Sequence, residues 1–580
     1  MRYLNDPRQN PLFDIFEEFL SEVAYRRLTS GWQQLFRASI LELMPAEKLA
    51  RHFHPELGRP TKELYSMAGL IFMMEFRDWT HDEAADAYMF SVDVQYALNL
   101  SPENQSLCRR TIERYVALFR SDELAAGIMH EVTAKLVEML ELDVSKQRLD
   151  STHIESNMAK FGRIKLMVTT IRRFLHQVKR HDEGSYQALK RSARDRYEAN
   201  PNSLFGWKKL DSDETNSLRQ SVAEDLAWLV ERYRRNKNHN SRSTYLMLVK
   251  VFEQQCEVVD RQVTVKQKTG GDIVCNPSDP DATFDGHKGS GYQVQLCETY
   301  SDINNVQLIT AAIPETACES DSHAIGKMIE HFEEHGMRPD TLLADTAYGG
   351  DDNFMKCARD SSLSYCGPTN DEGTTSPVIK LLSPTSGRKQ ADIDSEGDQS
   401  STGDSSSGDH KITSSKPKGD HSPLLTILDF HYDKTSNRFT GCPAGRELHR
   451  AHYCEYEDQH LLLMLGSNHG PCQACPLRPR CPMRYDAMLC DLRVNGKDLR
   501  LAQRRAAEDT EDFTDEYRKR GGIEATNAML KRVTGFGRLR VRGRPAVTMS
   551  TLLKVAGWNL LRAASVRSLV KKSAKHGNVA

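Results

Sequence analysis

Two aspartates lie where the sequence predicts the ends of buried β-strands. Asp150 follows an apolar residue, Leu149, and precedes a polar turn, and Asp345 follows the apolar run 341–344 and precedes a glycine turn. Strand ends are where open α/β sheets present functional groups. A single aspartate there is more often a turn former, but two adjacent carboxylates repel each other unless a divalent cation holds them together. The pair therefore indicates a metal site.

Glu524 is a third candidate because of its neighbours. Helical spacing would place four residues on one face of a helix: Tyr517, Arg520, Glu524 and Lys531. The glycine pair 521–522 weakens a helix, so the helix begins either near 515 or at the second glycine. An exposed polar face would have similar spacing, but one acid among many bases suits a metal ligand beside phosphates.

The charge of the chain is distributed unevenly. Its 580 residues carry a net charge of −2. However, residues 518–580 hold fifteen Lys or Arg and one acid, and residues 158–250 hold twenty bases and ten acids. Segments of one sign indicate a polyanionic partner, with a solvated basic face as the alternative. Over 538–544 arginines alternate with small or apolar residues, which on an extended strand would align them along phosphates.

The cysteines indicate a metal site of a different kind. Thirteen cysteines in 580 residues are too few for a disulfide scaffold. Four have the spacing of a structural Cys₄ zinc site: Cys442, Cys472, Cys475 and Cys481. Cys454 and Cys490 are alternatives for the first and last ligands. A redox CxxC is the other interpretation, but it normally needs a thioredoxin-like βαβ context, which the sequence does not suggest.

The elements before these residues are predicted to be helical. We expect helices in residues 1–140 at 66–76, after Thr80 and at 106–118. Thr80 and Glu83 have the spacing of a capping box, which starts a helix. Arginines interleave with apolar residues in 106–118, which fits a helix-turn-helix DNA-binding module or a plain helical bundle.

Residues 141–370 are predicted to form an α/β core with a mixed sheet. The strand 146–154 carries Asp150, and a basic helical insertion follows at about 158–280. We expect a helix at 322–335 and further strands at 291–300, 305–314, 341–344 and 363–368.

The last part of the chain is predicted to interrupt and then complete this core. Residues 371–510 form an insertion, with a flexible Ser, Gly and Asp-rich linker at 385–422 and a cysteine-rich segment at 442–490. Residues 511–580 return to the core with the helix of Glu524, an apolar closing helix at 548–564 and a basic tail.

The contexts of the three acids resemble the DDE transposases of bacterial insertion sequences. Tyr517-x2-Arg520-x3-Glu524-x6-Lys531 matches the Y-R-E-K signature of one large group in spacing. Five further stretches are similar to that group: LDSTHIESNMAK, LLADTAYGGDDNF, RLRVRGRPAVTMSTLLKVAGWNL and, at the N-terminal helices, GRPTKELYSMAGLIFMM and DWTHDEAADAYMFS. The CPAG and CxxC pattern of the cysteines also occurs in related transposases.

The resemblance implies an RNase H-like core in which Asp150, Asp345 and Glu524 bind two Mg²⁺ or Mn²⁺ ions. Two such ions about 3.5–4 Å apart would activate water or a 3′-hydroxyl for attack on a phosphodiester and stabilise the leaving oxygen. Tyr517 would donate to a phosphate or pack under its helix. The expected DNA-binding residues are Tyr517, Arg520, Lys531, Arg532, Arg538, Arg540, Arg542 and Arg544.

These inferences predict a cytoplasmic enzyme that becomes associated with the nucleoid when bound to DNA. It would bind the terminal inverted repeats of its element, cut double-stranded DNA and join the ends to a target, as at least a homodimer in the synaptic complex. The longest apolar stretch is too short to span a membrane, and the N-terminus lacks a signal-peptide core. The alternatives are a metal-dependent nuclease without strand transfer and an inactive DNA-binding regulator.

Overall fold

The computed structural model describes most of the chain. It describes residues 1–566 except 10–13, 102–104, 199–210, 359–378, 386–424, 434–435, 437, 455–458, 466–471, 473 and 486–488. The strand expected at 363–368, nearly all of the linker expected at 385–422 and the basic tail after 566 lie outside the described residues. The chain divides into two units, of which unit 1 comprises 1–321, 330–338 and 522–580, and unit 2 comprises 322–329 and 339–521.

The first 140 residues are helical, as predicted. The helices are α1 Ile15–Phe19, α2 Glu22–Thr29, α3 Trp32–Leu35, α4 Ala46–Ala50, α5 Leu64–Phe76, α6 His81–Phe90, α7 Val92–Ala97, α8 Arg109–Ser121 and α9 Leu124–Leu140. The capping box is confirmed, because Thr80 Oγ1 accepts from the Glu83 amide and the Glu83 carboxylate accepts from the Thr80 amide. In α8 the apolar residues Ile112, Val116 and Phe119 are buried, so its arginines occupy the outer side.

The sheet of unit 1 is antiparallel. Its strands are β1 Lys146–Ile154, β4 Thr283–Asp285, β5 Gly289–Thr299 and β6 Ile309–Thr316. β5 pairs with β1 on one side and with β4 and β6 on the other. The bounds of β1 are those predicted. A separate hairpin is formed by β2 Cys256–Val259 and β3 Gln262–Val265.

The basic segment after β1 is helical up to Gln255, whereas the β2–β3 hairpin lies within the range of about 158–280 that was expected to be helical. It contains α10 Arg163–His181, α11 Glu183–Gln187, α12 Arg191–Glu198, α13 Ser212–Tyr233 and α14 Ser243–Gln255. Its buried side chains, among them Phe174, Leu226 and Leu248, form a hydrophobic cluster of their own.

Unit 2 combines a short parallel pair with a separate antiparallel sheet. α15 Ala324–His335, which spans the division between the units, precedes β7 Thr341–Leu343, and α16 Asp351–Ala358 precedes β8 Lys380–Leu382, which pairs parallel with β7. The later strands are β9 His431–Asp433, β10 Arg438–Gly441, β11 Arg450–Cys454, β12 Gln459–Leu465, β13 Arg484–Tyr485 and β14 Leu489–Asn495. The order β11-β12-β14-β13 makes a four-stranded sheet.

The C-terminal part is helical. It contains α17 Gly496–Glu508 and α18 Glu511–Arg518 in unit 2, and α19 Gly522–Thr534 and α20 Arg544–Ala564 in unit 1. α20 packs against α5, α9 and β6 within the main hydrophobic core. A Cβ at Gly557 would lie 2.1 Å from the Phe76 side chain, so the close approach of α20 to α5 requires glycine there. The fold is mixed α/β, as predicted, and is compatible with an RNase H-like core.

Candidate functional site

Asp150 lies in the middle of β1. Asp150 and Ser151 are half-buried and lie between the buried residues Leu149 and Thr152. Asp150 is opposite Leu296 of β5, so the position of its backbone is fixed by the ladder between the two strands. The expectation that Asp150 marks a strand end is wrong, because it lies within β1, where its side chain is half-buried.

Asn527 of α19 holds the Asp150 carboxylate. Its Nδ2 donates a hydrogen bond of 3.0 Å to Oδ2 of Asp150, and only 7% of Asn527 is exposed. Glu524 lies one turn earlier on α19 and is exposed, and Lys531 lies one turn later and is half-buried. Burial lowers the pKa of Lys531, and the Asp150 charge opposes that effect. The structure therefore brings the helix of Glu524 onto the strand of Asp150.

A buried ion pair fixes where α19 begins. Arg148 of β1 donates from Nε at 2.9 Å and from Nη2 at 2.7 Å to Oε2 of Glu298, which is only 2% exposed. Thr526 donates to the other oxygen of Glu298 at 2.6 Å. A Cβ at Gly522 would lie 2.1 Å from Nη1 of Arg148. The guanidinium occupies the space that any other residue at 522 would need.

The single helical stripe from Tyr517 to Lys531 is wrong. α18 ends at Arg518, a 3₁₀ turn covers Lys519–Gly521, and α19 starts at Gly522, which was the second of the two expected starts. The glycine pair and the Arg148 guanidinium explain the break. Tyr517 and Arg520 therefore belong to unit 2, and Glu524 and Lys531 to unit 1.

In unit 2, Asp345 lies two residues after the end of β7, close to the strand end predicted for it. It caps a 3₁₀ turn, Thr346–Tyr348, by accepting at 2.9 Å from the Ala347 amide. Ser383 Oγ donates to the Asp345 carbonyl at 2.5 Å. Nη2 of Arg520 lies 3.8 Å from Oδ2 of Asp345, and the Arg520 side chain is only 14% exposed. A half-buried arginine thus stands beside the carboxylate.

Tyr517 of α18 is half-buried and packs against another aromatic ring. Its ring stacks on Phe513 with centroids 5.6 Å apart and planes at 14°. This contact fits the packing role, one of the two roles expected for Tyr517.

The arginines at 532 and 538–544 are exposed. Leu539 is buried between Arg538 and Arg540, so the expected alternation is present. The segment is not the expected extended strand, because Arg538 forms an isolated β-bridge with Glu155 and the chain bends at Arg540 and Gly543. Arg540 Nε donates to Asp78 at 3.0 Å, which anchors the segment. The exposed set is Arg532, Arg538, Arg540, Arg542 and Arg544.

Five cysteines of unit 2 line one small cavity: Cys442, Cys472, Cys475, Cys481 and Cys490. The first four are the predicted set, and Cys490 was an alternative. Burial and the adjacent Cys490 thiol raise the pKa of Cys472 to about 11. Thiols are donors that zinc prefers. However, within the described ranges no group of three or more His, Cys, Asp or Glu stands in an arrangement that could hold a metal ion.

Several residues of the site were not predicted. Asn527 had a signal, since it lies three residues after Glu524 on a helical pattern. Arg148 and Glu298 had none, because their pairing depends on the register between β1 and β5.

Residues 441–564 match the family model described as a transposase DDE domain. Over these residues the chain is similar to transposase DDE domains. The matched range includes Glu524, Lys531 and the four cysteines predicted to bind zinc. Asp150 and Asp345 precede it. It supports the resemblance to insertion-sequence DDE transposases and does not identify the Y-R-E-K group within them. No curated protein and no solved structure matches the chain.

Of the helices in the described part of the chain, none is both long and apolar enough to cross a membrane.

Proposed function

We propose that the protein is a transposase that cuts the ends of its insertion sequence and joins them to target DNA. The observation that carries the proposal is the hydrogen bond between Asn527 and Asp150, because it docks the helix of Glu524 on the strand of Asp150. The family match over 441–564, which includes Glu524, supports it. The reaction would take place in the cytoplasm, where the chromosomal DNA lies.

The proposed catalytic residues are Asp150, Asp345 and Glu524. Carboxylate oxygens are the donors that Mg²⁺ or Mn²⁺ prefers, so these side chains suit such ions chemically. Bound in a pair, the ions would activate the attacking oxygen and stabilise the leaving oxygen. Asp150 would be held in orientation by Asn527, and Asp345 by its place after β7.

The proposed DNA contacts are cationic. Lys531, next to Asp150, would hold a phosphate beside the scissile bond, and Arg520, next to Asp345, would do the same. The exposed arginines from 532 to 544 would follow the backbone of the duplex. The N-terminal helices would bind the inverted repeats, and two ends would be held by a homodimer.

We also propose that Cys442, Cys472, Cys475 and Cys481 bind a structural zinc ion after their thiols rearrange around it, since their arrangement in the described residues is not that of a metal site. Their thiols line one cavity, and a bound ion would cross-link this small segment internally and so stabilise its fold.

The proposal is tested with purified protein and duplexes from the two flanks of its gene. Asp345→Asn and Glu524→Gln should each reduce Mg²⁺-dependent cleavage to background while DNA binding in Ca²⁺ is kept. Asp352→Asn, which changes an exposed acid of α16, is the matched control and should cut like the parent. Equal cleavage by Asp345→Asn and the parent would refute the assignment.

Strand transfer is tested separately with pre-cut ends and a supercoiled target plasmid. A joined product whose formation needs Glu524 supports the transposase. Cleavage without any joined product would favour a metal-dependent nuclease.

A further inference from the structure

The helical insertion has two ends. The chain enters it at Arg163, where α10 begins, and leaves it at Gln255, where α14 ends. The C-terminal end of α10 and the turn between α13 and α14 therefore lie at the opposite end. At 1.5 Å per residue, the nineteen residues of α10 span about 28 Å.

This end carries a cluster of cations, which we call the basic tip. Its members are Arg180, His181, Arg234, Arg235, Lys237 and Arg242. All are exposed except Arg242, which is half-buried, and no acid occurs between 232 and 242. Arg234 lies 3.6 Å from Glu231, but both side chains are exposed and such a pair is weak. In the described part of the chain, Arg180, Arg235 and Lys237 form no ion pair.

A buried histidine holds the basic tip in shape. His239, 1% exposed, lies with Nε2 3.3 Å from Oδ2 of Asp182 and with Nδ1 3.4 Å from Nε2 of Gln177. Its ring meets the Tyr233 ring edge-on at 5.5 Å. Thr244 Oγ1 donates to Oε1 of the same Gln177 at 2.8 Å. The turn is thus fastened to the end of α10, and its cations are placed before any partner arrives.

A fixed cluster of like charges suits an anionic polymer. The cations repel one another, so holding them on an anchored turn costs stability that a polyanion would offset. Preorganised side chains also lose less entropy on binding. The tip contains no Phe, Tyr or Trp on which a single-stranded base could stack, and asparagines separate its cations. This composition fits phosphate contacts on a duplex rather than base reading.

We propose that the basic tip binds the phosphate backbone of the DNA duplex at the end of the element. The inference rests on the proposed function for the identity of the DNA. The basic tip would be an additional contact to the duplex, made by residues that lie outside the family match and are not among the proposed catalytic residues.

The test compares two triple variants that remove the same charge. Arg234→Ala/Arg235→Ala/Lys237→Ala changes the tip. Lys165→Ala/Lys250→Ala/Lys268→Ala removes three exposed cations elsewhere in or after the insertion. Binding to fluorescent duplexes from the gene's flanks is measured in Ca²⁺ over a range of salt concentrations, so that cleavage plays no part.

The tip variant should bind at least about tenfold more weakly and should lower the slope of log K against log salt by about 2 to 3. The control variant should bind like the parent. Arg234→Lys/Arg235→Lys should also bind like the parent, since a phosphate contact needs only the charge. The circular dichroism spectrum of the tip variant should match that of the parent, which excludes a folding defect as the cause of weaker binding.

Three results would overturn the proposal: equal binding by the tip variant and the parent, equal losses in both triple variants, or a preference of the parent for duplex RNA of the same sequence. A failure of the proposed catalysis would give a different result: the parent protein would bind these duplexes in Ca²⁺ but would not cut them in Mg²⁺.

Discussion

Asn527 and Asp150 are 377 residues apart in sequence, yet Nδ2 of the amide donates to Oδ2 of the carboxylate at 3.0 Å. The bond has two effects. It orients the Asp150 side chain, and it ties α19, the helix of Glu524, to β1. Since a metal site depends on the orientation of its carboxylates, Asn527 is a positioning residue of the proposed site.

Replacing Asn527 should raise the requirement for metal. In Asn527→Ala the Asp150 carboxylate loses its donor, so we expect cleavage to need about 10-fold or more Mg²⁺ for half-maximal rate. The loss of a hydrogen bond to a charged group should also cost about 1.5–3 kcal/mol of stability. Cleavage of flank DNA is measured across a Mg²⁺ series, with Ala528→Ser, an exposed neighbour on α19, as control. A parent-like Mg²⁺ dependence in Asn527→Ala would show that the bond does not position Asp150.

The sequence predicted the elements better than the contacts between them. β1 was predicted with its observed bounds from its local sequence and the polar turn, and the Thr80 cap is equally local. The break before α19 was only one of two expected starts, because it depends on the Arg148 guanidinium beside Gly522. Asn527 and the Arg148–Glu298 pair depend on tertiary contacts, which no local pattern contains.

Breaking the buried ion pair between Arg148 and Glu298 should make the stability of the protein depend on pH. Burial raises the pKa of Glu298, and Arg148 opposes that rise. In Arg148→Met the pKa should rise further. A carboxyl whose folded pKa exceeds its unfolded value contributes its full stability below the unfolded pKa, and that contribution is lost as pH rises through the folded pKa.

We therefore expect Arg148→Met to be destabilised by about 3–5 kcal/mol at about pH 8 and by less at about pH 5.5. Thermal unfolding of the variant and the parent at both pH values measures this. In the double variant Arg148→Met/Glu298→Gln the titratable carboxyl is gone, so the pH-dependent difference seen in the single variant should disappear. An equal loss at both pH values in the single variant would contradict the expectation.

Lys531 should limit activity at alkaline pH. Burial lowers its pKa, so this ammonium loses its proton at a lower pH than an ordinary lysine, whose pKa is about 10.4. If Lys531 holds a phosphate, cleavage must fall as that proton is lost. Lys531→Arg keeps its charge at any accessible pH, so we expect the alkaline decline to move to higher pH, whereas Lys531→Met should be weak throughout.

The measurement for Lys531 is the rate of flank-DNA cleavage from neutral to alkaline pH. Lys497→Arg, an exposed lysine of α17, controls for a general effect of arginine. Identical alkaline limbs in the parent and Lys531→Arg would assign the decline to another group.

The cysteine cavity should contain zinc in the purified protein. Five thiols line it, and a Cys₄ site uses four, so we expect about one zinc per chain. Cys475→Ser should lower the zinc content to near zero and should destabilise unit 2, because a structural site contributes folding free energy directly. Cys108→Ser, which changes an exposed cysteine in unit 1, should leave the zinc content unchanged.

Two further variants identify the fourth ligand. Cys481 is the predicted ligand, and Cys490 is the buried neighbour of Cys472. If Cys481 binds the ion, Cys481→Ser should lose zinc and Cys490→Ser should keep it, and the opposite result would move the ligand to Cys490. Metal content by atomic emission and thermal unfolding after chelation provide the readouts. Zinc near zero in the parent, together with parent-like unfolding of Cys475→Ser, would mean that the thiols pack together without a metal.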